Sequence, residues 1–205
     1  MNARTLPLLA AALTMLAFPA FAQDFRQGGK LLLTGGVASV EGSAGGGLAT
    51  WAVIAGGETA DGIGVAAHAT AVRTGDFQLN TGGIAVGLFD RVELSYARQA
   101  FDTRKVGAAL GLGKGFTFDQ DILGVKVRVL GDAIYDQDRL LPQISVGAQY
   151  KSNDEPGVVR FVGAKRASDV DYYVSANKLF ISTSVLVSGT VRATRANQFG
   201  ILGYG

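Results

Sequence analysis

In 205 residues there is no cysteine, only four prolines, a single tryptophan and a single histidine. Without cysteine there is no disulfide framework, no thiolate nucleophile and no cysteine metal site, so stability has to come from packing and hydrogen bonding. With one histidine, His68, any imidazole chemistry is confined to one position. After the first two dozen residues no apolar run reaches the ~18 residues of a membrane helix, so entry into a membrane would require a closed sheet. No segment there carries a helical apolar stripe. The 19 basic and 17 acidic residues, net +2, are scattered, which argues against a nucleic-acid partner.

What the chain has in quantity is glycine, 29 residues, about twice the usual share of ~7 %. With few prolines and 48 % hydrophobic residues, glycine points to tight turns and curved, close-packed sheet rather than to a disordered linker. At the N-terminus, Arg4 precedes the apolar run Leu6 to Phe18, and Ala20-Phe21-Ala22 forms a small-x-small cleavage site. Residues 1–22 read as a secretory signal peptide and the mature chain as starting at Gln23, because Pro19 interrupts a run already too short for an anchor. Residues 23–205 then amount to one domain.

The strongest pattern in that domain is alternation with a period of two. Ile144, Val146, Ala148 and Tyr150 oppose Gln143, Ser145, Gly147, Gln149 and Lys151. The same alternation recurs over 92–98, 125–129, 170–177 and 185–194, and less regularly over 63–72 and 84–88. Turn signals, among them Asp61-Gly62, Thr74-Gly75-Asp76, Thr81-Gly82-Gly83, Phe89-Asp90, Asp154-Glu155-Pro156-Gly157 and Ala196-Asn197, separate the runs. The expectation is an all-β, antiparallel up-and-down sheet of about ten strands, with a loop or short helix over 105–115.

Alternation alone does not separate a sandwich from a transmembrane barrel. Strands of about ten residues favour the barrel, since that length crosses a bilayer at a tilt. So do Trp51, Phe89, Phe101, Tyr135, Tyr150, Phe180 and Phe199, which fall near strand ends as an interfacial girdle would. The polar faces then line the lumen through Glu93, Lys126, Arg128, Gln143, Gln149, Arg160, Asp171, Asn177 and Arg192. Two features fit less well: Arg98 shares the apolar face of Val92, Leu94 and Tyr96, and 158–166 mixes its faces. Bacterial barrels close with an even strand number and tend to end on an aromatic residue, whereas the sequence stops at Gly205 inside or just after a strand; either the sheet closes near here or the sequence is an incomplete barrel of ten to twelve strands.

The stretches Gly28-Gly29-Lys30-Leu31-Leu32-Leu33-Thr34-Gly35-Gly36-Val37, Gly45 to Ile54, Val86 to Gln99, Gly111 to Phe116 and Val125 to Asp132 resemble a proteobacterial family of exported proteins known only as a domain of unknown function. The resemblance covers most of the mature chain. It implies an outer-membrane β-protein and members longer than this sequence; it supplies no catalytic residue.

Motifs for chemistry are weak. Asp119/Asp121 and Asp136/Asp138 offer paired carboxylates, but an extended strand between them would hold the pairs on the order of 40 Å apart, and neither run is an EF-hand loop. Gly111-Leu112-Gly113-Lys114-Gly115 lacks the first glycine and the Ser/Thr of a phosphate loop, with Ala108 and Gly115 in those places. No cofactor or metal is expected. The leading reading is a non-enzymatic, porin-like barrel of the Gram-negative outer membrane, a narrow channel or structural envelope protein whose partners are membrane lipid and small solutes. A soluble periplasmic or secreted β-sheet binding protein is the alternative. A lesser one is a barrel enzyme acting on lipid through His68, beside Thr70 on the same face.

Overall fold

The computed structural model describes residues 38–109, 111–136 and 139–205. The expected signal peptide, the family-like stretch 28–37 and Asp138 lie outside them. Two two-residue strands, β1 (Gly45–Gly46) and β2 (Ala49–Thr50), form a small hairpin. Seven long strands follow: β3 (Ile63–Arg73), β4 (Gln78–Leu88), β5 (Val92–Asp102), β6 (Thr117–Leu130), β7 (Gln143–Asn153), β8 (Ser168–Phe180) and β9 (Val185–Ala193). Each pairs antiparallel with the next, giving a single meander in the order β3 to β9 that curls into a half-barrel. A register shift between Arg128 and Leu130 bends β6 as a bulge does.

Among the described residues the main sheet thus has seven strands rather than about ten. Thr81-Gly82-Gly83, expected as a turn, runs straight through β4, with Gly83 between His68 and Ala97 on its neighbours. A Cβ at Gly83 would run into the Tyr96 carbonyl and the His68 ring, so the glycine serves close approach rather than a turn. The mixed faces of 158–166 also have a plain cause: Pro156 opens a short helix, α2 (Pro156–Phe161), whose first turn tolerates proline. A second short helix, α1 (Val106–Ala109), occupies part of 105–115, where a loop or short helix is expected.

The two faces of the curl have inverted polarity. On the convex side Leu123, Tyr172 and Val191 are 56 %, 61 % and 78 % exposed, in rows with Leu94, Val125, Val127, Val146 and Val187. On the concave side Lys126 and Lys151 are 1 % and 0 % exposed. Among the described residues, apolar packing inside forms two small clusters, one around Val53, Ala55, Ala85 and Ile134 and one around Phe118, Val159, Ala164 and Ile201.

Candidate functional site: a charged concave face filled by residues 38–58

What buries the concave face is the chain's own segment 38–58, which is almost devoid of regular structure. Its backbone N–H and C=O groups still need partners away from water, and the inward side chains of the sheet supply them. The Glu93 carboxylate accepts from the Ala44 N–H (3.1 Å) and the Ala55 N–H (2.9 Å). Lys126 pairs with that carboxylate at 2.8 Å and donates to the Trp51 carbonyl at 3.2 Å. Gln143 donates to the Ala52 carbonyl at 2.7 Å, and Asn177 accepts from the Ala52 N–H. Ser175 reaches the Thr50 carbonyl at 3.0 Å, while Thr81 and Gln99 both donate to Val40 O at 2.8 Å. The alternating polar positions are therefore a row of sockets for one irregular strand of backbone.

Charge fixes the entrance of this segment. Glu41, fully buried, is held by Arg192 through two bonds, 2.8 Å to Oε1 and 2.5 Å to Oε2, and by Lys151. Asp171 completes the group, 2.8 Å from Lys151 and 3.5 Å from Arg192, so two cations face two anions. Burial by itself would raise the Glu41 carboxyl, but the Arg192 guanidinium and the Lys151 ammonium hold it below the usual carboxylate range. Beside this group, burial raises the Tyr204 phenol, with the charges of Asp171 and Glu41 adding, so Tyr204 stays a neutral donor to Gln120 at 3.0 Å. At the other end of the strands Arg128 bridges Asp90 (2.7 Å) and Asp132 (2.9 Å).

Glycine lets the segment lie this close. A Cβ at Gly87 would overlap the Ala55 carbonyl oxygen and a Glu58 carboxylate oxygen, and one at Gly42 would come within 2.9 Å of Ala97 Cβ.

Of the residues expected on the inward face, Glu93, Lys126, Arg128, Gln143, Asp171 and Asn177 stand on the concave side and are buried, with Arg192 beside them partly so. Gln149 is there too, fully buried, and its amide makes no hydrogen bond among the described residues. Arg160 is not: it projects from α2 into solvent, because Pro156 converts its segment from strand to helix. The sequence pattern places Lys151 on the polar face without including it in the lumen-lining set, and it gives no sign of Glu41 or of the filling segment as a whole. Its signal was negative, a stretch rich in glycine, alanine and serine with no alternation and two acidic residues, Glu41 and Glu58.

The aromatic set divides. Phe89, Tyr135 and Phe180 are exposed at one end of the strands; Phe101 and Phe199 lie at the other, Phe101 stacked on Phe77 at 5.4 Å between ring centres. Tyr150 is exposed on the convex face, two residues along β7 from Ser152, which lies opposite Asp121. Trp51 departs from expectation, since it packs on the concave side against the Val53 and Ala55 cluster. Arg98, out of place in an apolar row, is neutralised by Asp121 (3.0 Å), Asp154 (2.7 Å) and Asp119 (3.5 Å). The Asp119/Asp121 pair thus serves Arg98, while Asp136 lies beyond the far end of β6 and accepts from the Asp132 N–H. Among the described residues neither ring nitrogen of His68 has a hydrogen-bond partner, and none orients it as a nucleophile-activating base requires.

Together these features define an all-β protein in which a curled antiparallel sheet, apolar outside and polar inside, wraps a segment of its own chain. A family model described as a protein of unknown function (DUF3034) matches residues 34–205, and the chain belongs to that family. No curated protein and no solved structure matches it.

Proposed function

We propose that the protein is an outer-membrane β-barrel without enzymatic activity, a narrow channel held shut by its own residues 38–58. The observation that carries this reading is the inverted polarity of the sheet. In water, a face as apolar as Leu94, Val125, Val146, Tyr172 and Val187 is turned inward and lysines outward; here Lys126 and Lys151 are inside. Strands of 9 to 14 residues match the ~9 to 11 needed to cross a bilayer at a tilt. The reading requires partners for the outer edges of β3 and β9, since hydrocarbon satisfies no backbone group.

Fractionation and single-channel recording test it. The folded protein should stay with membranes through a carbonate wash, need detergent for release and migrate faster on gels when unheated. In planar bilayers it should be silent, and Glu41→Lys, which places three cations against Asp171, should produce openings. Release by carbonate as a soluble species would end the membrane reading. Openings of the same frequency in both forms would end the gating role of residues 38–58.

A further inference from the structure

At the end of the sheet where β3 turns into β4, the fold encloses a second, different space. It is a cavity of about 650 Å³, within the ~300–1,000 Å³ range of small-molecule sites. Phe118, 2 % exposed, lies at its floor; Leu79, Phe101, Val106 and Leu202 line its walls, and the exposed Leu48 and Phe199 stand at its rim. Its buried polar lining is already engaged, with Gln99 donating to Val40 O at 2.8 Å and Thr103 to Phe116 O at 2.7 Å, and Gln198 stands exposed at the rim. The interior therefore offers a ligand almost nothing but apolar contact.

Charge lies outside it. The connections at this end carry Arg104, Lys105, Lys114, Arg160, Lys165 and Arg166, with Arg195 beyond β9, against Asp76, Asp154 and Glu155. Those at the opposite end carry Glu58, Asp61, Asp90, Asp132 and Asp136 against Arg91 and Arg139. Arg104 and Lys105 stand directly between the lining residues Thr103 and Val106, and Arg160 two residues before the lining residue Val162. Arg104 and Lys105 are in no salt bridge among the described residues.

We infer that this cavity binds a single-chain anionic amphiphile of the fatty-acid class, its alkyl tail against Phe118 and its carboxylate among Arg104, Lys105 and Arg160. An apolar pocket whose buried polar side chains, Gln99 and Thr103, are already engaged rejects a polar ligand body, because that body's buried groups would go unpaired. The cationic rim then favours a chain ending in a carboxylate over the same chain ending in a hydroxyl. The cavity belongs to the folded chain whether the convex face meets lipid or another protein, so this assignment does not rest on the membrane reading.

Photolabelling tests it. Full-length protein in phosphatidylcholine nanodiscs, or in buffer should it prove soluble, is illuminated with palmitic acid carrying a diazirine at the tail end, and the adducts are mapped by peptide mass spectrometry. Adducts are expected on 77–79, 99–106, 118 and 198–202, suppressed about tenfold better by palmitate than by hexadecanol. The Arg104→Gln, Lys105→Gln pair should erase that preference. Val106→Trp, which fills the cavity, should remove the adducts while unheated migration stays that of the folded form. Labelling spread over Val65, Leu94, Val125 and Val187 of the convex face, or unchanged in Val106→Trp, would overturn the assignment.

Discussion

Glu41 shows how a single side chain governs the interior. Its buried carboxylate meets Arg192 and Lys151, and a buried ion pair stripped of one partner leaves the others stranded, at a cost of about 3–5 kcal/mol. Glu41→Gln should therefore lower the unfolding free energy by roughly 3 kcal/mol, read as a shift of the urea midpoint of the unheated gel band. The pH dependence follows from the same contacts. A carboxyl whose native pKa lies below its unfolded value of 4.5 contributes stability that is fully present above about that pH. As pH falls further, through the native pKa, that contribution is lost. Titrated from pH 7 to 3, the difference in stability between wild type and Glu41→Gln should hold steady down to about 4.5 and then shrink, because only the wild type carries this component of the fall. Gly87 acts through shape instead. Gly87→Val places atoms where the Ala55 carbonyl and Glu58 sit, an overpacking of about 1–3 kcal/mol. Limited proteolysis should find residues 38–58 cut faster in this variant, with the sheet fragments intact.

At the scale of elements, the strands divide labour between their faces, and the same substitution should have opposite weight on each. Val125 on β6 is exposed, so Val125→Arg in a water-facing sheet would change stability by no more than ~0.5 kcal/mol. On a lipid-facing strand near the bilayer midplane it should cost about 2–4 kcal/mol. Refolding into lipid vesicles with a urea series distinguishes the two, and the larger value is expected. Arg98 marks where that apolar band stops: it shares Val92's face, yet three carboxylates surround it. The strand faces themselves were legible from alternation, because a period of two assigns each residue to a side without knowledge of the fold. Residues 158–166 were not, since one proline at a first helical turn outweighs the weak strand pattern that follows it. Residues 38–58 were illegible for another reason. They have no repeating local geometry to leave a period in the sequence, and their backbone is satisfied by side chains far along the chain.

For the whole molecule, the described sheet ends on two long edges, β3 and β9, and exposes a broad apolar surface between them. A surface of that extent on a water-soluble monomer marks an interaction site or an aggregation hazard, and in the membrane reading it is the lipid contact. Hydrogen exchange should separate these cases: in a closed barrel the β3 and β9 amides exchange as slowly as those of β5 to β7, whereas free edges exchange far faster. Uniform protection across the seven strands is the expected result.

The sequence alone determined that the chain is a run of antiparallel strands and which residues share each face, because side-chain parity and turn chemistry are local. It did not determine which face is buried, since parity is the same whether a sheet is filled from inside or covered from outside. Only the tertiary structure decided that the polar face is the enclosed one and that residues 38–58 fill it. The contacts responsible join Glu41 to Arg192 across 151 positions and Thr50 to Ser175 across 125, separations over which no local pattern carries information.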